Sequence, residues 1–504
     1  TEDNSNAKHG TRLVPSLNTG EEPQRPFNSN AGLNYDSEVE NSGASLTVDW
    51  SLSDSFSLKS ITSYREGSTV GPIDFDATPR NSFDAPVKYD DDQTTQELQL
   101  TYEGEKLKVV GGLYYYTGDA SGAFDAVAGR LNLTTFVDFD QPGEIPGQET
   151  LTTFVASTKG SAETKSKAAY FHATYDITDS FAMTLGARYT QDEKEAEVYK
   201  AKFFTDGVSE EFGGTNSLTL ATQSDFTDGD KWNQLSPKIG FDWKVNDDNM
   251  LYYSYAEGFK SGGINMRADV LASPAGLSQV FDPEEAKTHE IGLKSELGDG
   301  RARINVAYFT TDYTSVQQTT NRLFGTNFVP LVITDNEQEL QGIELESSVQ
   351  ITDSLGMVLN VGWIDAEWTK FTDFDTAGNP IDTANDVVVS NTPEFAGLLA
   401  FNYDHDLGDA GSLVMGINAS YTDEIAPEIV KDAPINADAY TLLGASVTWY
   451  SADESWSAAV HGKNLTDEEY LVAGYNFVNF LGEDSITGFY GDPRTVTLTV
   501  GYQF

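Results

Sequence analysis

The feature that most limits this chain is an apolar residue at every second position, repeated in segments of about ten residues. In Arg494–Phe504, Val496, Leu498, Val500, Tyr502 and Phe504 share one face, while Thr495, Thr497, Thr499, Gly501 and Gln503 share the other. A helix would scatter that pattern around its surface. A strand, whose side chains alternate, gathers it on one side. Phe181, Met183, Leu185, Ala187 and Tyr189 likewise oppose Thr184, Gly186, Arg188 and Thr190. Ile343, Leu345, Val349 and Ile351 oppose Glu344, Glu346, Ser348 and Gln350. No run of 18 apolar residues exists, which removes a transmembrane helix and leaves a transmembrane barrel open.

Connections alternate in length. Short ones such as Thr178–Ser180, Asn246–Asp248 and Ala452–Glu454 use Asp, Asn and Ser, which bond back to the backbone or tolerate turn dihedrals. Long polar stretches, roughly 67–92, 118–164, 194–231, 261–285, 318–336, 370–391, 424–436 and 465–492, lie between hairpins. Trp50 and Phe56, Tyr175 and Phe181, and Trp449 and Trp456 flank short turns, where an interfacial girdle sits. A soluble sheet could pair aromatics in this way. Their regular return at turns favours a membrane barrel, with Lys238, Glu290, Glu344, Glu346 and Lys463 facing a polar lumen.

The expected fold is therefore all-β, a transmembrane antiparallel β-barrel. Eight hairpins, at roughly 44–66, 93–117, 165–192, 233–259, 286–317, 337–368, 392–423 and 437–464, precede a last strand at 492–504. That is about 17 strands. With short turns periplasmic and long loops extracellular, the C-terminus is periplasmic. Residues 1–43 are then an extracellular loop or preceding segment, and 44–504 the barrel. Bacterial barrels usually have an even strand count, and an open edge in lipid leaves backbone groups unsatisfied at several kcal/mol each. Either further strands precede Thr1, which the even-number habit favours, or the first and last strands close in parallel.

With 31 Lys plus Arg against 79 Asp plus Glu, the formal charge is −48. Nucleic acid is set aside as a partner, because phosphate binding needs clustered cations. Absence of Cys removes thiolate metal sites and cysteine nucleophiles. His9, His172, His289, His405 and His461 are scattered, and no convergent catalytic set appears, so the chain reads as no enzyme and no cofactor is expected. The acidic excess either solvates the surface or holds Ca²⁺ or Mg²⁺ at the outer loops, bridging loop carboxylates to anionic lipid headgroups. Asp74, Asp76, Asp90, Asp91 and Asp92 are the candidate ligands.

Loop aromatics are the candidate ligand-binding residues: Tyr470, Tyr475, Phe477, Phe480, Phe489 and Tyr490 in the last loop, with Trp232 and Trp368 where strands emerge. Their faces suit sugars, siderophore rings or other apolar ligands, or they pack loop against loop.

Five stretches in order, Leu235–Tyr255, Ser254–Asn265 (SYAEGFKSGGIN), Phe281–Leu297, Gly462–Tyr470 (GKNLTDEEY) and Gly491–Phe504, resemble TonB-dependent outer-membrane receptors. The resemblance implies a 22-strand barrel filled by an N-terminal plug, of which this chain holds strands 6 to 22. It implies the outer membrane of a Gram-negative bacterium, with lipid and lipopolysaccharide around the wall. The implied activity is import of a scarce ligand, most commonly a ferric siderophore or similar nutrient complex, driven by the TonB complex. No stretch here matches the plug, so TonB is reached only through a plug absent from this chain. Tyr502 and Phe504 resemble the terminal signal read by the barrel-assembly machinery. The rival readings are a structural or adhesive barrel in a larger surface assembly, with partner proteins at the outer loops, and a passive porin.

Overall fold

The computed structural model describes residues 2–3, 10–15, 22–23, 25–28, 32, 37–79, 83–128, 153–205, 207–215, 217–271, 273, 278–324, 327–375, 378–480 and 483–504. Seventeen long strands dominate it. They are β1 (Glu38–Ser51), β2 (Phe56–Asp74), β3 (Asp84–Glu103), β4 (Leu107–Ala128), β5 (Thr153–Thr178), β6 (Phe181–Thr205), β7 (Ser217–Asn246), β8 (Asn249–Lys260) and β9 (Glu284–Leu297). They continue as β10 (Ala302–Thr314), β11 (Glu337–Gln350), β12 (Leu355–Lys370), β13 (Phe395–Asp406), β14 (Ser412–Thr422), β15 (Tyr440–Tyr450), β16 (Trp456–Lys463) and β17 (Thr495–Tyr502). Every registered pairing between consecutive strands is antiparallel and follows chain order, the up-and-down arrangement expected of the barrel. A two-residue strand, Glu2–Asp3, pairs with Val39 and Glu40 of β1. No helix among the described residues is long and apolar enough to cross a membrane, which says nothing of strands.

The registers settle the faces. Leu46, Val48 and Trp50 of β1, Leu98 and Leu100 of β3, Leu113 of β4, Phe171 of β5 and Leu185 of β6 lie on one face, all exposed. The opposite face carries charge, as in the Lys59–Asp49 and Arg303–Glu296 pairs at 3.2 and 2.8 Å. An exposed apolar surface of that extent would aggregate in water and suits lipid. On β6 the apolar band runs from Phe181 to Tyr189, nine residues or roughly 30 Å of strand, the length a barrel strand needs to cross a membrane. The outermost strands β1 and β17 are exposed on both faces, with Leu498 71% accessible.

The structure departs from the sequence expectation in the upper strands. The polar stretches around 67–92, 118–164 and 194–231 were expected as loops, yet strand continues through much of each: β2 runs to Asp74, β3 starts at Asp84, β5 spans 26 residues and β7 spans 30. Above the apolar band both faces of a strand meet water or other loops. The two-residue apolar signal disappears there while the hydrogen-bonded ladder continues. The buried hydrophobic clusters lie in the long connections and the strand ends beside them, around Phe75 and Phe83, Trp368 and Phe371, Val329 and Leu331, and Ile435 and Ile486.

Candidate functional site

The outer face changes character above the apolar band. On β6 the outward side chains after Tyr189 are Gln191, Glu193, Glu195 and Glu197. One row of register partners crosses six strands as Ser42, Glu66, Asp92, Asp119, Glu163 and Glu195. The next outward row holds Glu40, Asp90 and Glu197. Between the rows lies a cleft of about 790 Å³ floored by Gly67, Ala120, Ala162 and Ala196. Tyr64 and Ser42 donate to Glu66 at 3.0 and 2.7 Å, and Lys165 pairs with Glu163 at 2.5 Å. Above the cleft, Glu211 joins Lys88 and Lys159 at 3.2 and 2.7 Å.

On the lumenal face, the Arg188 guanidinium lies 5.3 Å from the Tyr114 ring centre and 5.8 Å from that of Tyr170. The Tyr170 hydroxyl donates to Glu97 at 2.6 Å. Such a cation over aromatic faces contributes about 0.5–2 kcal/mol and fixes a polar, planar patch on the wall.

Beyond the long-loop ends of the strands, separate loops share one core. The last loop is a hairpin of Leu471–Phe480 and Glu483–Tyr490, and Thr11–Arg12 adds a third strand beside it. Tyr475 and Phe477 lie against Phe75 and Phe83 of the β2–β3 connection, at ring separations of 4.8 and 5.1 Å. Phe489 meets Tyr475 edge-on at 5.5 Å. Arg12 is fully buried and donates to the carbonyls of Asp76 and Asp484, both at 2.8 Å, and of Pro15 at 3.4 Å. Asp74 accepts the N–H groups of Gly32 and Ala77, and Asp76 those of Thr78 and Phe83. Burial pushes the Asp76 carboxyl up to about 7, helped by the charge of Asp74.

The remaining candidates also have partners within the chain. Tyr470 stacks on Tyr440 at 4.4 Å, and Tyr490 meets Phe27 at 5.8 Å. Trp232 is buried near Lys194, which donates to the Gly262 carbonyl at 2.7 Å. Trp368 is buried on Phe371 and donates to the Val388 carbonyl at 3.0 Å. The Phe480 side chain lies outside the described residues. The acidic candidates divide into two places: Asp74 and Asp76 in the loop core, and Asp90 and Asp92 on the outer rows of β3, with Asp91 on its opposite face. Among the described residues, no group of three or more His, Cys, Asp or Glu side chains is arranged to hold a metal ion. Sequence reasoning missed Arg12, Phe75, Phe83 and Asp84. Arg12 sits in a segment without periodicity. Asp84 is one Asp among many, and only the β2–β3 register singles it out.

A family model described as TonB dependent receptor-like, beta-barrel matches residues 2–465. The ferric-pyoverdine M114 receptor PbuA of Pseudomonas sp. strain M114 is 24% identical over 351 residues, 68% of this chain and 36% of that protein. The probable TonB-dependent siderophore receptor PiuA of Acinetobacter baumannii is 23% identical over 317 residues, 62% of this chain and 38% of its own length. The match thus spans little more than a third of these curated relatives. Among solved structures, the ferric yersiniabactin uptake receptor FyuA of Yersinia pestis aligns with TM-score 0.70 at 18% identity, over 93% of this chain and 62% of that one. The siderophore receptor PiuA from Acinetobacter baumannii aligns with TM-score 0.68 at 18% identity, over 99% of this chain and 70% of that one.

Proposed function

The chain belongs to the TonB-dependent receptor β-barrel family, and from that premise we propose that it forms the wall and outer mouth of a receptor importing a ferric siderophore or similar nutrient complex. Members of the family are transport receptors and not enzymes, and they are outer-membrane barrels of Gram-negative bacteria. The observation that carries the reading is the vertical order of the wall. An outward apolar band of membrane height is crowned by strands that turn acidic and by loops that share a core over the mouth. Short turns lie at the other end, so the C-terminus is periplasmic in this reading. The exposed edges β1 and β17 are where further strands complete the 22-strand wall, and TonB engages through a plug domain in the lumen. Lipid and lipopolysaccharide surround the band, and the barrel-assembly machinery reads Tyr502 and Phe504.

The test is uptake of radioactive iron by cells carrying the complete receptor. The expected result is ligand-dependent accumulation that requires both the receptor and TonB. A steady conductance indifferent to ligand and to TonB, or uptake unchanged by deleting the receptor, overturns the proposal.

A further inference from the structure

On the lumenal wall, two cations and an imidazole gather without an acidic partner. His172 of β5, Arg188 of β6 and Lys238 of β7 share the lumenal face, at the height where the outward apolar band ends. His172 and Lys238 stand opposite Gly186 on its two sides, and Arg188 is two residues further along β6. A Cβ at Gly186 would lie 3.4 Å from His172 Nδ1 and 3.5 Å from Lys238 Cβ, so the glycine leaves the space between these side chains open. The chain has 79 Asp and Glu residues, yet none stands opposite, diagonal to or two residues along from any of the three. Among the described residues, none of the three forms a salt bridge.

The orientation of Arg188 is fixed by its surroundings. Tyr170 lies across Gly112, where a Cβ would overlap its ring, and its hydroxyl is anchored on Glu97 at 2.6 Å. The Arg188 guanidinium rests over the Tyr170 and Tyr114 rings, and its Nε donates to Thr190 Oγ1 at 3.1 Å. Its two Nη groups have no hydrogen-bond partner among the described residues. The free edge of a guanidinium presents two parallel N–H bonds, which match two oxygens of a carboxylate or phosphate. A side chain already held in one place loses little further entropy when it binds.

We propose that Arg188, with Lys238 and His172 beside it, is a lumenal subsite for an oxyanion, a carboxylate or phosphate carried by a ligand passing through the barrel. A net charge of −48 repels such a group from most of the chain, and this patch locally reverses that field. Arg188 takes the oxyanion through both Nη groups. Lys238 adds a second positive charge from the next strand, and His172 offers a ring N–H across Gly186. Tyr170 and Gly112 are positioning residues, because they act only through Arg188. The inference rests on the reading of this chain as the wall of an importing receptor.

The experiment is solid-state NMR on the complete receptor in lipid bilayers, with isotope label in the arginine side-chain nitrogens. The Arg188 Nη signals are assigned by their loss in Arg188→Gln, or in Arg188→Lys if the Gln variant does not assemble. Malonate and inorganic phosphate are titrated separately, with ionic strength held constant by chloride. A saturable shift of the Arg188 Nη signals is expected with one or both anions, and the tighter of the two names the group preferred. Lys238→Gln should raise the half-saturating concentration roughly threefold, as for loss of one partly solvated charge pair. Tyr170→Leu should raise it as well. A shift no larger than chloride gives, or the same half-saturation in wild type and both variants, overturns the subsite. Contact between Arg188 Nη and a carboxylate side chain of the receptor before any anion is added also overturns it, because the receptor itself would then fill the place. Anion binding kept while iron uptake fails removes the import reading alone. Uptake kept while Arg188 ignores both anions removes this inference alone.

Discussion

Leu345 and Glu346 are neighbours in sequence and face opposite sides of β11: Leu345 stands between Val306 and Val361, Glu346 between Asn305 and Asn360. The first set continues the outward apolar band and the second lines the lumen. A slip of one residue in this register would exchange the two faces along the whole strand.

Leu345→Arg is therefore expected to destabilise the barrel by about 2–4 kcal/mol, the cost of a cation on the lipid face near mid-membrane. Glu346→Gln should leave folding unchanged within about 0.5 kcal/mol, as for a solvated surface change. Denaturant titration of the receptor in bilayers measures both. The reverse order of effects would invert the facing of β11.

The C-terminal edge gives a second prediction. Phe504 meets Tyr502 edge-on at 5.1 Å and Tyr502 meets Trp456 at a tilt at 4.7 Å, which forms an outward aromatic cluster at the end of β17. Deleting Phe504, or Phe504→Asp, should lower the amount of folded, heat-modifiable barrel in membranes. Wild-type amounts of folded barrel in both variants would show that the cluster plays no part in assembly.

Replacing Tyr475 and Phe477 together by Ala should loosen the loop core while the wall stays intact. Both rings are half-buried against Phe75 and Phe83, so each loss is expected to cost about 1–3 kcal/mol of local stability. Faster proteolysis within 471–490, with an unchanged heat-modifiable barrel, is the expected outcome. An unchanged cleavage rate would mean that these contacts contribute little to holding the hairpin.

Lys200 supplies a pH prediction. It is buried beneath the 261–271 loop and donates to the Arg267 carbonyl at 3.2 Å. Burial pushes its ammonium down to about 8. The undocked group returns toward 10.5, so docking of this loop weakens as pH falls from about 10.5 to about 8 and stays level below. Exchange protection of residues 263–270 should follow that course in wild type, and Lys200→Met should flatten it. A pH course that persists in Lys200→Met would assign it to another group.

Much of the wall was legible in the sequence, because lipid contact forces alternation wherever a strand crosses the membrane. Phe181 to Tyr189 and Val496 to Phe504 state their facing outright. The same strands were lost where that force ends: Glu193, Glu195 and Glu197 continue β6, yet carry no apolar signal to mark them as strand. Loop contacts were less legible still. Tyr475 and Phe477 were recognisable as unusual loop aromatics, but their partners Phe75 and Phe83 lie some 400 residues earlier, and Asp84 differs from the chain's other carboxylates only through its place opposite Asp74.

The central claim is that the odd-numbered side chains of β6 face lipid up to Tyr189 and water above it. The chain has no Cys, so single cysteines at each position from 181 to 197 can carry a spin label without background. Accessibility to oxygen, which concentrates in lipid, is then compared with accessibility to a water-soluble nickel complex. The account predicts oxygen maxima at 181, 183, 185, 187 and 189, minima at the even positions between them, and dominance of the nickel complex at 191, 193, 195 and 197. Oxygen maxima at the even positions, or no alternation along the segment, would contradict it.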